Sequence, residues 1–141
     1  MKYELKIKNK VDELSKLPPF VNKVCGDMNL GEEMTMNLNL VLEEAVSNVV
    51  LYAHPKGSED DDIDISATTS DKSIVFVITD RGVAFDPLQV GQVDTTLPAD
   101  DRQIGGLGIF IIKNIMNELE YQRVEGKNVF ILKKVIQSEK N

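Results

Sequence analysis

Seven residues, Leu38, Val41, Leu42, Ala45, Val49, Tyr52 and Ala53, recur at i, i+3, i+4 and i+7 in one stretch of the chain. That period predicts an amphipathic helix from about Glu32 to Ala53, closed by Pro55 and Gly57. A helix of this length with one apolar stripe needs a second layer to cover the stripe. The rest of the chain must supply that layer.

It supplies mostly strands. Lys2 to Ile7 alternates charged and larger residues, as an edge strand does. Ile63, Ile65 and Ala67 alternate with polar neighbours, and the denser β-branched run from Ser73 to Thr79 reads as their more central partner, with a turn near Ser70-Asp71-Lys72. Glu120 to Val124 and Asn128 to Ile136 form a second pair around Glu125-Gly126-Lys127. Two further helices are predicted. One starts at Leu17-Pro18-Pro19, where proline suits a first turn, and carries Val21, Val24, Cys25 and Met28 to a stop at Gly31. The other runs from Leu107 to Asn117 on Leu107, Ile111, Ile112, Ile115 and Met116. Adjacent strand pairs with short turns predict an α/β (α+β) two-layer sandwich: a mixed, largely antiparallel sheet with helices on one face. The 141 residues suffice for one compact unit and show neither repeats nor low-complexity tracts.

A formal charge of −7 with no long basic stretch excludes a protein that grips nucleic acid through its phosphates. A nucleotide stays compatible where Mg²⁺ and backbone amides neutralise it. The single cysteine, Cys25, lies in an apolar helical pattern and reads as a small core residue. The start Lys2-Tyr3-Glu4-Leu5-Lys6-Ile7 lacks a signal-peptide pattern and no apolar run approaches a membrane span, so the expected location is the cytoplasm, without membrane contact. The acidic run Glu59-Asp60-Asp61-Asp62 reads as a solvated turn.

Three constellations bear on chemistry. Glu44 and Asn48 stand four residues apart on the long helix and project from one face. An amide oxygen there can be one Mg²⁺ ligand, with a carboxylate base a turn away, although a solvated helix face has the same spacing. Thr79-Asp80-Arg81-Gly82 lies where a strand breaks into a loop. A fixed carboxylate can accept from an exocyclic amine such as that of adenine, and glycine lets the backbone approach a flat ring; an ordinary turn has the same composition. Gly105-Gly106-Leu107-Gly108-Ile109 opens the last helix after a long loop from about Arg81 to Ile104, the kind of segment that serves as a lid. Free N–H groups and the helix dipole there favour phosphate oxygens, and a lid hinge is the alternative. The run is neither a Walker P-loop, lacking Gly-Lys-Ser/Thr, nor a Rossmann turn.

In order and placement these three motifs resemble the GHKL ATPases. Glu43-Glu44-Ala45-Val46-Ser47-Asn48, Asp80-Arg81-Gly82-Val83-Ala84-Phe85-Asp86-Pro87 and Gly105-Gly106-Leu107-Gly108-Ile109-Phe110-Ile111-Ile112 are most similar to the anti-sigma-factor serine/threonine kinases of the RsbW and SpoIIAB type. The resemblance in element order runs from about Tyr3 to Ile136. It implies a Bergerat-type ATP-binding fold over residues 1–141 with an ATP lid at about 87–105. It assigns ATP and Mg²⁺ to the site, with Asn48 for Mg²⁺ and Glu44 as general base. Asp80 and Gly82 take adenine, Gly105, Gly106, Leu107 and Gly108 the phosphates, and Arg102 in the lid the γ-phosphate.

The same resemblance implies a partner switch. The kinase holds a sigma factor or other target, and phosphorylates a small STAS-type antagonist that competes for it; such kinases are commonly homodimers. A non-catalytic ATP-dependent binding module, or a simple ATPase, would carry the same motifs. The chain departs from the family pattern in two places. Tyr52-Ala53-His54 exchanges the aromatic and the histidine of a His-Ala-Tyr-like run, which leaves His54 as a helix-end residue favoured by the dipole. The last strand, Asn128 to Lys134, contains no Ser or Thr near adenine.

Overall fold

The computed structural model describes residues 1–53, 60–89 and 105–136. Five strands, β1 (Lys2–Lys8), β2 (Asp62–Thr69), β3 (Ser73–Asp80), β4 (Glu118–Val124) and β5 (Lys127–Val135), form one sheet in the order β1-β2-β3-β5-β4. Each of the four pairings is antiparallel. The Ser73–Thr79 run is therefore central and Lys2–Ile7 lies at an edge, as their patterns predict. Three helices, α1 (Leu17–Asp27), α2 (Glu32–Asn48) and α3 (Gly105–Ile115), complete the two-layer arrangement.

Alternation decides which face each strand buries. Ile63, Ile65 and Ala67 of β2, Ile74, Phe76 and Ile78 of β3, and Phe130 and Leu132 of β5 are buried at every second position. They join Leu17, Val21, Val24 and Cys25 of α1, Leu38, Val41, Leu42, Ala45 and Val46 of α2, and Ile109 and Ile112 of α3 in a single core. Phe76 is fully enclosed at its centre, and truncating such a side chain to alanine costs about 3–5 kcal/mol. Cys25 is buried there as a free thiol, and burial raises its pKa, so it is kept as an unreactive core residue.

Local chemistry sets the ends. Pro18 and Pro19 lie in the first turn of α1, and Asn29, at φ 58°, turns the chain out of it toward α2. Glu125 and Gly126 both have positive φ, the requirement of a two-residue turn that follows the twist of a hairpin, here β4–β5. Two short 3₁₀ segments, Val11–Lys16 and Pro87–Gln89, have no clear period in the sequence. The long helix differs from its prediction in one respect: regular α geometry ends at Asn48, and Val49–Ala53 continue as a π-turn. Wide turns of this kind recur at functional sites. No helix among the described residues is long and apolar enough to cross a membrane.

Candidate functional site

The two polar residues singled out on α2 do not lie on a solvated face. Asn48 falls in the buried phase that includes Leu38, Leu42 and Ala45, and is only 3% exposed; Glu44 is half-buried. The Nδ2 of Asn48 has no hydrogen-bond partner. Leaving a buried amide N–H unmet costs about 1–3 kcal/mol, a cost that an acceptor oxygen of a ligand or a water would relieve. Among the described residues no three His, Cys, Asp or Glu side chains converge as a metal cage. An amide meets a cation only through its oxygen, so Asn48 Oδ1 could be one ligand of Mg²⁺, which keeps several waters and takes few protein ligands, while its unmet N–H calls for an acceptor.

Asp80 ends β3 in the inward phase of Ile74, Phe76 and Ile78, and is 1% exposed. Its Oδ1 accepts from the Gly82 N–H (2.8 Å) and from Asn128 Nδ2 (3.0 Å). Asn128 stands directly opposite Asp80 in the β3–β5 register and is 4% exposed. Its Nδ2 also donates to the Val83 carbonyl (2.8 Å), while its Oδ1 accepts from the Phe85 N–H (3.1 Å), Arg123 Nη1 (3.1 Å) and the Tyr121 hydroxyl. Arg123 Nη1 further donates to the Gly82 carbonyl (2.8 Å). The loop after β3 is thus tied residue by residue to β4 and β5.

The glycines have specific neighbours. A Cβ at Gly82 would clash with the carbonyl oxygen of Ala53 and lie 2.8 Å from its carbonyl carbon. The adjacent Val83 N–H donates to that same carbonyl at 2.7 Å. The reason for glycine at position 82 is therefore the closeness of the π-turn, which the sequence alone does not show. Beside this contact Tyr52 stacks on Phe85, with centroids 5.8 Å apart. At the other end of the site, a Cβ at Gly108 would lie 2.5 Å from Glu44 Oε1.

Gly105, Gly106 and Leu107 form the first turn of α3 itself, where the helix was expected to begin only at Leu107. Their N–H groups thus belong to the set that an α-helix leaves without intrahelical acceptors. Arg102, His54 and the lid beyond Gln89 lie outside the described residues. The structure brings Glu44 together with Gly108, and Asp80 with Gly82, and it adds three residues that the motif reading passes over: Asn128, Arg123 and Tyr121. Asn128 was legible in one respect, as a polar residue in the inward phase that continues through Phe130 and Leu132. Arg123 and Tyr121 carry no such signal in the sequence.

Comparison with known proteins gives concordant matches. The family model described as histidine kinase-like ATPase domain matches residues 7–134. The serine-protein kinase RsbW of Listeria monocytogenes serovar 1/2a is 30% identical over 105 residues, which is 72% of this chain and 66% of that protein. The serine/threonine-protein kinase BtrW of Bordetella bronchiseptica is 30% identical over 95 residues, 67% of this chain and 66% of its own. The match thus spans slightly less than two thirds of the length of these relatives. Among solved structures, the RsbU and RsbW domains of Rv1364c from Mycobacterium tuberculosis superpose with a TM-score of 0.68 at 10% identity, over 98% of this chain and 33% of that one. The SiaB–SiaC complex from Pseudomonas aeruginosa gives 0.60 at 14% identity, over 95% and 89%. At these identities the structural matches establish the shared fold.

Proposed function

Because the chain belongs to the histidine kinase-like ATPase domain family, in the RsbW-related branch of the GHKL ATPases, we propose that it binds ATP–Mg²⁺ between α2, the end of β3 and the start of α3. It then transfers the γ-phosphoryl group to a serine or threonine of a STAS-type antagonist protein. The observation that carries this reading is that both motif residues are buried rather than solvated: Asn48 keeps an unmet amide N–H, and Asp80 is held by Gly82 and Asn128.

ATP bound here supplies the phosphoryl group, and Mg²⁺ neutralises its charge. Asp80 accepts from the exocyclic amine of adenine through its carboxylate. Asn48 offers its amide oxygen to Mg²⁺. The N–H groups of Gly105, Gly106, Leu107 and Gly108 face the phosphates, with Arg102 as the lid contact to the γ-phosphate. Glu44 accepts the hydroxyl proton as the acceptor oxygen bonds to the γ-phosphorus and the bond to the β,γ-bridging oxygen breaks, releasing ADP, a general-base role worth about 10²–10⁴ in rate. Residues 1–141 act as one ATP-binding unit in this reading, with the lid over about 87–105.

The partners are those the family resemblance implies: a STAS-type antagonist as the phosphorylated protein, a sigma factor or other target held or released in response, and a second copy of the kinase as a homodimer; the relatives' names supply the serine-protein kinase activity alone. The test is phosphotransfer from γ-labelled ATP to a purified STAS-domain antagonist by the native chain and by Glu44→Ala. Label on one antagonist hydroxyl, lost in Glu44→Ala, is the expected result. Free phosphate without labelled antagonist would assign a simple ATPase. ATP binding without any turnover would assign a binding module.

A further inference from the structure

The amide of Asn128 is committed on both sides. Its nitrogen donates to Asp80 Oδ1 (3.0 Å) and the Val83 carbonyl (2.8 Å), and its oxygen accepts from Phe85 N–H, Arg123 Nη1 and the Tyr121 hydroxyl. An amide has two N–H donors and two lone pairs, so no capacity is left over. A residue so used is fixed in orientation, and what it fixes is the carboxylate plane of Asp80. Oδ1 takes both the Gly82 N–H (2.8 Å) and Asn128 Nδ2, which sets the direction in which the rest of that carboxylate can meet a ligand. Between Asn128 and Lys134 the strand carries no Ser or Thr that could take this place. A hydroxyl offers one donor, and it could not also span Val83, Phe85 and Arg123.

We infer that Asn128 is a positioning residue that sets purine-base selectivity at this site: by clamping Asp80 Oδ1 and the 82–85 loop together, it makes the site accept a 6-amino purine and reject a 6-oxo purine. The inference rests on the ATP-binding reading and adds to it the residue that determines selectivity. A carboxylate held as an acceptor meets the amino group of adenine favourably and opposes the carbonyl of hypoxanthine or guanine. A carboxylate free to rotate can avoid that opposition. Arg123 and Tyr121 act one step further out, by holding the Asn128 oxygen from the edge strand β4.

The experiment measures Kd for ATP and for inosine 5′-triphosphate, both with Mg²⁺, by calorimetry. The proteins are the native chain, Asn128→Asp, Asn128→Thr and the control Asp80→Asn, each checked for folding by thermal melting. Asn128→Asp is isosteric: it keeps an acceptor toward Phe85, Arg123 and Tyr121, removes the donor to Asp80 Oδ1 and to the Val83 carbonyl, and sets a second carboxylate oxygen against Asp80. The ATP preference of the native chain should shrink by about tenfold or more in Asn128→Asp, consistent with losing one hydrogen bond to a charged group. Asn128→Thr, with one donor restored, should recover part of that preference. A merely structural role would weaken both nucleotides together and leave the ratio unchanged in both variants, which would overturn the inference while Asp80→Asn still lost ATP binding. No nucleotide binding by the native chain, with Asp80→Asn indistinguishable from it, would instead remove the ATP-binding reading and this inference with it.

Discussion

Glu44 lies against Gly108 so closely that a β-carbon added to the glycine would stand 2.5 Å from Glu44 Oε1. The first turns of α3 therefore meet α2 at the proposed base, and glycine at position 108 leaves room for a carboxylate of this chain. The atom in the way is the far end of a flexible side chain, so the structure can yield. Gly108→Ala should leave unfolding free energy unchanged or raise it by up to about 1 kcal/mol, since alanine suits a helix better than glycine. Turnover should fall on the order of 10² as Glu44 is displaced. Urea unfolding and phosphotransfer measured on the same preparation check both halves.

Asn48 gives the complementary case, a residue whose function and stability oppose one another. Replacing it with leucine removes the buried amide with its unmet N–H and keeps a side chain of similar size in the core phase of α2. Asn48→Leu should match or exceed native stability by about 1 kcal/mol, because an unsatisfied buried donor is lost. Mg²⁺-dependent nucleotide binding should disappear. Thermal melting with and without ATP–Mg²⁺ checks this: a higher melting point that no longer responds to nucleotide is the expected pattern.

Gly82 has no such latitude. Its neighbours are backbone atoms of Ala53, which cannot rotate away, and the Val83 N–H to Ala53 carbonyl bond ties the same two segments. Gly82→Ala should cost about 1–3 kcal/mol of stability through overpacking. It should also detach the loop after β3 from the π-turn, so that the stacking of Tyr52 on Phe85 weakens; a denaturation curve followed by near-ultraviolet circular dichroism reports both.

Much of this was legible beforehand. The two strand pairs and the helical layer follow from Ile63-Ile65-Ala67, Ile74-Phe76-Ile78 and the α2 stripe, because alternation and the helical period both record one buried face, whereas the pairing of β3 with β5 is not recorded there. Asp80 was legible as a carboxylate at a strand end. What was hidden depends on contacts between distant segments. The end of α geometry at Asn48 has no proline or glycine to announce it. Asn128 reaches Asp80 across 48 positions in sequence, and Arg123 reaches Gly82 across 41. Such long-range polar pairs are created by strand register, which a single chain read in order does not display.

At the sheet edge opposite β4, ion pairs help to fasten β1. Lys8 Nζ lies 3.0 Å from both the Asp60 carbonyl and Asp62 Oδ1. The hydrogen bond to Lys8 holds the Asp62 carboxyl below its ordinary pKa, and the hydrogen bond to Asp62 holds the Lys8 ammonium above its own. A depressed carboxyl contributes stability above its unfolded value near pH 4, lost as pH falls through the folded value. A raised ammonium contributes below its unfolded value near pH 10, lost as pH rises through the folded value. Asp62→Asn should therefore lower the urea midpoint slightly at pH 7, and that difference should fade as pH falls through the lowered pKa of the native carboxyl.

The central claim is that α2, the end of β3 and the start of α3 form one nucleotide site, and calorimetry with ATP and with ADP, each with and without Mg²⁺, tests it most directly. Asp80→Asn is the matched control, since the amide oxygen can still accept from Gly82 and Asn128 while the group that meets adenine changes from acceptor to donor. The account predicts Mg²⁺-enhanced ATP binding by the native chain that Asp80→Asn abolishes; nucleotide binding indifferent to both Mg²⁺ and Asp80→Asn, or no binding at all, would contradict it.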